Sequence, residues 1–471
     1  MTPSESSQVR SCTPVLLLAL TQGLALGWSS PAMAKLRAGE GPFKPTLDEL
    51  SWIVSFFSLG ILAGSLVGAQ VFARAGRRTT LMLGPVLLAA CSAVTVLGAS
   101  ARPVYLARLL GGAGHGIGVS FSSIYVAEVT DTALRGRLIL VTNLLLMAGP
   151  LLSYAAGPLL SYTALSLAPL ATGAAALALA LGRGWMRETP LYLASKGRAD
   201  EALASLRALR AGIKDEEVRG EFAAIQKTVK QQQEQQRSSG GGGGLREVLA
   251  EPAARRAAVL CLVVSGSFAA LGVTTVLAFT QQIVEEAGAP LSPAVCSVVL
   301  VATNIAAVLG SMPVVERVGR RTLLAGSAFG NAVALGALAA FLVARDALGV
   351  DVSAAHWLPL AALVAYMTST GMGVITIPHV LVSELLPQRA KASVAPLSGA
   401  LVALSAFALH KSFFLVGRAL GFGVPFAFFA LYNLGYAVFV AACVPETKGK
   451  TLAQVQEMLA SATADEKKKK K

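Results

Sequence analysis

The sequence predicts an all-α membrane protein with twelve transmembrane helices in two six-helix domains, and three observations carry that prediction. The chain has 471 residues, of which 54% are hydrophobic and only 14% charged, whereas about a quarter are charged in an ordinary soluble domain. Its apolar residues fall in runs of about 20, the length an α-helix needs to cross about 30 Å of hydrocarbon. One short stretch also occurs twice, as Ala73-Arg74-Ala75-Gly76-Arg77-Arg78-Thr79 and as Glu316-Arg317-Val318-Gly319-Arg320-Arg321-Thr322. Each copy closes one apolar run and opens the next, so Gly followed by two Arg reads as a tight turn whose cations lie among lipid headgroups. The second copy comes about half a chain after the first, the mark of a duplicated membrane protein.

Taken in order, a cytoplasmic N-terminal tail is expected over 1–12 and a first six-helix domain over 13–182, with spans at 13–33, 51–72, 79–99, 103–124, 138–160 and 163–182. Residues 183–254 are polar and charged, with a helix-like stretch from Glu201 to Val229 and a low-complexity Gln and Gly segment from Gln231 to Gly244. They read as a cytoplasmic linker, partly helical and partly disordered. A second six-helix domain is expected over 255–443, with spans at 255–280, 292–314, 321–345, 356–383, 394–416 and 420–443. A basic cytoplasmic tail, 444–471, ends in Lys467 to Lys471.

The net charge is +14, but Lys and Arg are scattered in short clusters between apolar runs, so no basic face for nucleic acid can form. Anionic membrane lipid is the expected partner. Alternate loops carry Arg74, Arg77 and Arg78; Arg135 and Arg137; the linker; Arg317, Arg320 and Arg321; and Arg389 and Lys391. That asymmetry puts those loops and both termini of a multi-pass membrane protein in the cytoplasm. The opposite loops are poorer in cations; in the first, Lys35, Arg37 and Lys44 are balanced by Glu40, Asp48 and Glu49. Cys12, Cys91, Cys261, Cys296 and Cys443 have no metal-ligand spacing and read as packing residues. The first apolar run flows into Pro31 without a small-residue cleavage pattern, so it reads as a span rather than a signal peptide.

The repeat extends beyond the turns. Tyr125-Val126-Ala127-Glu128, Arg135-Gly136-Arg137 and Arg187-Glu188-Thr189-Pro190 follow the first copy. Ser383-Glu384-Leu385-Leu386-Pro387, Arg389 with Lys391, and Pro445-Glu446-Thr447-Lys448 follow the second. A Glu at the end of a span is costly unless paired, so each half holds the parts of an ion-pair cluster. The glycine series Gly112, Gly114, Gly116 and Gly118 lies inside an apolar run with no strand before it, so it predicts close helix packing rather than a phosphate loop.

These motifs, with Arg108 leading into the glycine series and Val444-Pro445-Glu446-Thr447-Lys448-Gly449-Lys450-Thr451-Leu452, resemble the sugar porter family of the major facilitator superfamily from about Gly27 to Met458. Gly27-Trp28-Ser29-Ser30-Pro31-Ala32 followed by Ser51-Trp52 is similar to the arthropod facilitated trehalose transporters. The resemblance implies a major facilitator fold, a substrate cavity between two rocking domains, and a cytoplasmic gate of paired Arg and Glu. Carried over, the gate comprises Arg77, Arg78, Glu128, Arg135 and Glu188 in the first half, and Arg320, Arg321, Glu384, Arg389 and Glu446 in the second. The acid that often opens the first turn motif is replaced by Ala73, while the second copy keeps Glu316, so the first cluster is expected to be the looser.

A sugar needs several donor-acceptor side chains and an aromatic face. The resemblance places Asn143, Asn304, Thr274 and His379 as substrate-contact candidates, and Gln22, a polar residue of the first span, is a fifth. His379, where the family has Trp, is open to two readings: a donor to a hydroxyl or a satisfied helix residue. Departures are plain: the family's Gln pair in helix seven aligns with Phe268 and Ala269, an acid found in some members aligns with Gly371, and the helix-eleven Asn with Val402 and Ala403. Gln281 and Gln282 are expected at an exposed outer rim. Proton-driven members carry a buried acid, commonly in the first helix, and none lies between Val15 and Met33, where the polar residues are Thr21 and Gln22. The expected activity is therefore facilitative, uncoupled transport of a hexose or trehalose. A carrier of a less polar or non-sugar solute and a transport-inactive sensor stand as alternatives. No catalytic constellation, cofactor motif or metal spacing points to an enzyme.

Overall fold

A computed structural model describes residues 2–182, 184–238, 251–289, 291–386, 388–450, 454, 455, 457 and 458, and among these every regular element is helical. The chain divides into two compact units, one of residues 1–45 and 56–241, the other of residues 46–55 and 242–471.

The first unit is built from α1 (Pro3–Gly27), α2 (Ser29–Ala38), most of α3 (Leu47–Ala75), α4 (Arg77–Leu97), α5 (Ala101–Val129), α6 (Thr132–Ala156) and α7 (Tyr162–Leu181). Helix α1 packs on α6 and α7, and α4 on α5 and α7. Their shared core includes Val15, Leu18, Phe57, Leu88, Ile117, Tyr125 and Leu138. The glycine series of α5 does what the sequence predicts: a Cβ at Gly112 would lie 2.0 Å from the Phe57 carbonyl oxygen and 2.9 Å from the Gly60 Cα, so only glycines let α3 and α5 approach so closely. Helix α1 begins ten residues before the expected span, at Pro3, capped by Thr2 and Glu5 in a reciprocal capping box. The N-terminal segment read as a tail is thus helix, and Ser4 and Ser7 bond the carbonyls of Leu209 and Ala208. In the linker, α8 (Pro190–Ser195), α9 (Ala199–Leu209) and α10 (Asp215–Ser238) follow in turn. Helix α10 carries the Gln run to Ser238, past the expected end at Val229, and the rest of the low-complexity segment lies outside the described residues.

The second unit contains α11 (Pro252–Gly266), α12 (Val273–Ala278), α13 (Thr280–Ala287), α14 (Pro293–Val318), α15 (Arg320–Asp346), α16 (Leu358–Ser369), a π-helical turn (Thr370–Val374), α17 (Ile377–Leu385), α18 (Gln388–Leu420) and α19 (Gly423–Cys443). Helix α15 packs on α16 and α19, and α11 on α17 and α18. The core runs through Val264, Leu271, Leu324, Ile377, Leu381, Val394 and Tyr436.

Ten described helices are long and apolar enough to cross a membrane. The two remaining spans of the twelve are α5 and the α11–α13 segment, each obscured for a physical reason. Helix α5 carries Arg102, Arg108, His115, Glu128 and the glycines, which lower its hydropathy. The seventh span is interrupted twice, around Gly272 and at Phe279. Among the cysteines, Cys12, Cys91, Cys261 and Cys296 are buried, whereas Cys443 is exposed at the end of α19 and packs no core.

Candidate charge clusters and substrate-contact residues

The two Gly-Arg-Arg turns are single-residue breaks between long helices. Gly76 separates α3 from α4 at φ 98°, and Gly319 separates α14 from α15 at φ 99°, backbone that favours glycine. Each glycine is followed by a helix N-terminus with unsatisfied N–H groups, and each N-terminus is capped by a carboxylate from a distant loop. The Arg77 N–H donates to Glu188 Oε1 at 2.9 Å and the Arg78 N–H to Oε2 at 3.2 Å. In the second unit the Arg320 N–H donates to Glu446 Oε1 at 2.9 Å and the Arg321 N–H to Oε2 at 3.1 Å. A Cβ at Gly76 would lie 2.3 Å from Glu188 Oε2, and one at Gly319 would lie 2.6 Å from Glu446 Oε2. Glycine is therefore needed for the approach of the carboxylate as well as for the turn.

The guanidinium groups take other partners. Arg77 Nε and Nη2 donate to the two oxygens of Glu128, both at 2.9 Å, and the cation stacks 4.4 Å over the Phe72 ring and 5.1 Å over Tyr192. Thr189, the N-cap of α8 with Pro190 at the first helical position, donates its hydroxyl to Glu128 Oε2 at 2.6 Å. Arg78 reaches the Ala180 carbonyl, and Tyr125 donates to the Arg187 carbonyl. In the second unit Arg320 pairs with Glu316 at 3.0 Å and Glu384 at 3.4 Å, and Thr447 donates to Glu384 Oε2. Arg321 donates to the Ala441 carbonyl, and Lys448 Nζ to the Arg317 carbonyl.

Three expectations are corrected by this geometry. Arg135 is exposed and donates to the Thr130 carbonyl at 3.5 Å rather than to a glutamate of the first cluster. The arginine-glutamate contact through Glu188 and Glu446 is made by backbone N–H groups, not by the guanidinium groups. The first cluster is the tighter one, because the bidentate Glu128 contact and two aromatic faces replace the acid missing at Ala73. The Arg389 side chain lies outside the described residues. Thr189 and Thr447 were missed as members, although the paired Glu188-Thr189 and Glu446-Thr447 signal was in the sequence.

Burial separates the electrostatics of the two capping acids. Desolvation outweighs the N–H bonds at Glu188 and raises its pKa. At Glu446 desolvation acts the same way but is overcome by bonds from the N–H groups of Lys448, Arg320, Arg321 and Thr447, and the pKa falls.

The substrate-contact candidates are distributed as follows. Asn304 is buried on α14 and donates from Nδ2 to the Met367 carbonyl at 3.0 Å. Asn143 on α6 and His379 on α17 are exposed. Thr274 lies on the first turn of α12 with its Oγ1 buried and without a hydrogen-bond partner among the described residues. Gln22 is buried, and its Nε2 donates to the carbonyls of His115 at 2.9 Å and Gly114 at 3.4 Å, so its amide N–H groups are spent on α5 rather than left for a ligand. Gln281 and Gln282 are buried, not exposed at a rim, because Phe279 breaks the helix and α13 turns to pack on α14 and α16. A Cβ at Gly371 would lie 2.7 Å from Ala307 Cβ and 2.8 Å from the Asn304 carbonyl oxygen, so an acid has no room there. Among the described residues no group of His, Cys, Asp and Glu could hold a metal ion.

Residues 29–459 match the family described as sugar (and other) transporter. The chain is 26% identical over 454 residues to the facilitated trehalose transporter Tret1-2 homolog of Drosophila simulans, covering 96% of this chain and 91% of that one. It is 31% identical over 458 residues to human solute carrier family 2, facilitated glucose transporter member 6, covering 92% and 87%. The partially occluded inward open conformation of the xylose transporter XylE from E. coli superposes with a TM-score of 0.73 at 18% identity, over 95% of this chain and 100% of that one, a likeness of fold. The chain belongs to the sugar (and other) transporter family and is a multi-pass membrane sugar transporter of the major facilitator fold, not an enzyme.

Proposed function

We propose that the protein is a facilitative carrier that moves a hexose or trehalose down its gradient across the plasma membrane by alternating access, with both termini cytoplasmic. The observation that carries the uncoupled reading is Arg108. This residue is buried on α5, and its guanidinium donates to the Ala25 carbonyl at 2.9 Å and to Ser29 Oγ at 2.7 Å. It also lies 4.1 Å over the Phe57 ring and 5.2 Å over Trp28. A buried cation in a membrane is expected to recruit a carboxylate. Here a carbonyl, a hydroxyl and two ring faces do that work, and none of them can take up and release a proton during a transport cycle. The absence of Asp and Glu between Val15 and Met33 supports the same conclusion.

In this reading Asn143, Thr274, Asn304 and His379 contact the sugar, and Gln22 holds α1 against α5. The charge clusters of Arg77, Arg78, Glu128 and Glu188 and of Arg320, Arg321, Glu384 and Glu446 act as the cytoplasmic gate, fastening helices in one state and releasing them in the other. The names of the relatives support a hexose or a disaccharide as cargo. A second reading, a less polar solute, is favoured by one observation: Gln22 and Asn304 already spend their amide donors on main-chain carbonyls. Uptake of labelled trehalose and labelled glucose into proteoliposomes, with and without a protonophore, tests the proposal. Saturable uptake that the protonophore leaves unchanged is expected. Uptake that collapses with the protonophore overturns the uncoupled reading, and saturable uptake only of an apolar solute favours the second one.

A further inference from the structure

Arg108 carries a positive charge into the interior of the first unit, and no carboxylate among the described residues meets it. The side chain is 2% exposed. Nη1 and Nη2 donate to the Ala25 carbonyl and to Ser29 Oγ, and the rings of Phe57 and Trp28 lie 4.1 Å and 5.2 Å from Cζ. All four partners are neutral. The titratable groups within electrostatic reach are Cys91 and Tyr162. Taking an ion out of water is costly, and neutral dipoles and ring faces offset only part of that cost.

Two donors at the same place are unspent. Arg108 Nε and the Tyr162 hydroxyl are buried and have no hydrogen-bond partner among the described residues. Tyr162, the first residue of α7, is 3% exposed and lies against the same Trp28, the two rings meeting edge to face with centroids 6.0 Å apart. Trp28 has no N–H left for a ligand, since its Nε1 donates to Ser166 Oγ at 2.8 Å. His115, whose ring is 5.4 Å from that of Phe57, also leaves Nδ1 unbonded. Buried polar atoms are almost always bonded, so orphans gathered about one buried cation call for a ligand. Arginine has donors only, so what Nε lacks is an acceptor. A water molecule would accept from both donors and leave the charge unbalanced. An anion answers both needs, and hydrogen bonds to an ion are the stronger kind. The aromatic walls limit its form: their ring edges carry partial positive charge, but they offer no further donors for the several oxygens of a sulfate or phosphate. A single spherical charge suits them.

We propose that the first unit binds one chloride ion between α1, α5 and α7, held by the Nε–H of Arg108 and the hydroxyl of Tyr162. Arg108 supplies the charge and one donor, and Tyr162 supplies the second donor that fixes the position. The residues concerned lie near helix ends, with Ser29 opening α2, Tyr162 opening α7 and Arg108 about two turns into α5, so the path from water is short. Chloride is the anion of a strong acid and takes up no proton, so the site leaves the uncoupled reading as it stands and does not rest on it.

The experiment uses the purified full-length chain in sodium gluconate, with chloride exchanged for gluconate at constant ionic strength. Equilibrium binding of radiolabelled chloride and the thermal unfolding midpoint are both read. The expected result is a single equivalent of chloride bound and a midpoint that rises with chloride concentration, because a ligand stabilises the form that binds it. Bromide should act as chloride does, and sulfate should not. Tyr162→Phe keeps the ring against Trp28 and removes the hydroxyl. It should weaken chloride binding about tenfold, the ratio for losing one hydrogen bond to a charged group. Its midpoint in gluconate should equal or exceed that of the parent, since the lost hydroxyl bonds no residue. Arg108→Gln removes the charge and should abolish binding; if that variant fails to fold, Tyr162→Phe carries the test. Equal midpoints in chloride and gluconate with no chloride bound overturn the proposal and leave a buried water at these donors. Chloride binding that Tyr162→Phe leaves unchanged overturns it too, because the anion then lies elsewhere. Neither readout involves sugar, so a chain that binds chloride but moves no sugar defeats the transport reading alone.

Discussion

The backbone N–H of Arg77 meets the carboxylate of Glu188 at 2.9 Å, and in the second unit Arg320 meets Glu446 at the same distance. Each acid caps the first turn of the helix that follows a Gly-Arg-Arg turn, where the helix dipole favours negative charge. Gly76→Ala and Gly319→Ala should each drive the carboxylate away, since the added Cβ would lie 2.3 Å or 2.6 Å from an oxygen. Loss of a cap costs about 1 kcal/mol, and the backbone strain at these φ values adds about 1–3 kcal/mol. The expected outcome is a lower thermal unfolding midpoint for both variants. Midpoints equal to that of the parent protein would show that the caps contribute nothing.

The guanidinium contacts rank the two clusters. Arg77 and Glu128 are 15% and 11% exposed at the side chain, whereas Glu316, one of the two acids beside Arg320, is 70% exposed. Removing one partner of a buried pair costs about 3–5 kcal/mol, while exposed pairs contribute about 0–1 kcal/mol. Glu128→Gln should therefore lower the unfolding midpoint more than Glu384→Gln, and Glu316→Gln should barely change it. An order in which Glu316→Gln is the most damaging would refute the ranking.

Periodicity and charge placement were enough to read the twelve spans and their duplication, because a run of apolar residues about 20 long has few other uses. They failed where tertiary contacts decide the outcome. Helix α5 hides Arg108 and His115 against its neighbours, and the break at Gly272 depends on Tyr366 and Asn433, which lie 94 and 161 positions later in the chain. Nothing local marks such partners. Gln281 and Gln282 were misplaced for the same reason, since counting along an unbroken helix cannot foresee the turn at Phe279. The charge clusters were legible as sets of residues but not as bonds. Sequence order says that Glu188 lies near Arg77, but not that the main chain rather than the guanidinium receives it.

The two capping acids should respond differently to pH. The raised pKa of Glu188 means that the folded chain binds its proton more tightly than the unfolded chain. Its contribution to stability therefore declines as pH rises through the interval between the ordinary value of 4.5 and the raised one. Glu446 has a lowered pKa, so its contribution is present above 4.5 and is lost as pH falls through the lowered value. Glu446→Gln should cost stability at neutral pH, with the cost fading in acid, and Glu188→Gln should cost less at neutral pH. Unfolding midpoints measured across the acid range decide the matter, and identical profiles for the two variants would contradict it.

Gln22 and Asn143 separate packing from substrate contact. Gln22 is buried and ties α1 to the carbonyls of Gly114 and His115, and a Cβ at Gly118 would lie 1.7 Å from its Nε2, so the amide fills a fitted site between the helices. Replacing it by Leu removes the bonds that tie α1 to those two carbonyls, which keep their own helical N–H donors, at about 0.5–1.5 kcal/mol. Gln22→Leu should thus lower the unfolding midpoint and reduce the amount of active carrier while leaving the KM for sugar uptake near that of the parent. Asn143 is exposed on α6, so Asn143→Ala should leave the midpoint unchanged and raise KM if the residue meets the sugar. The two measurements together are decisive, because a change in KM from Gln22→Leu without loss of stability would return that amide to the binding site. Unaltered kinetics in Asn143→Ala would remove Asn143 from it.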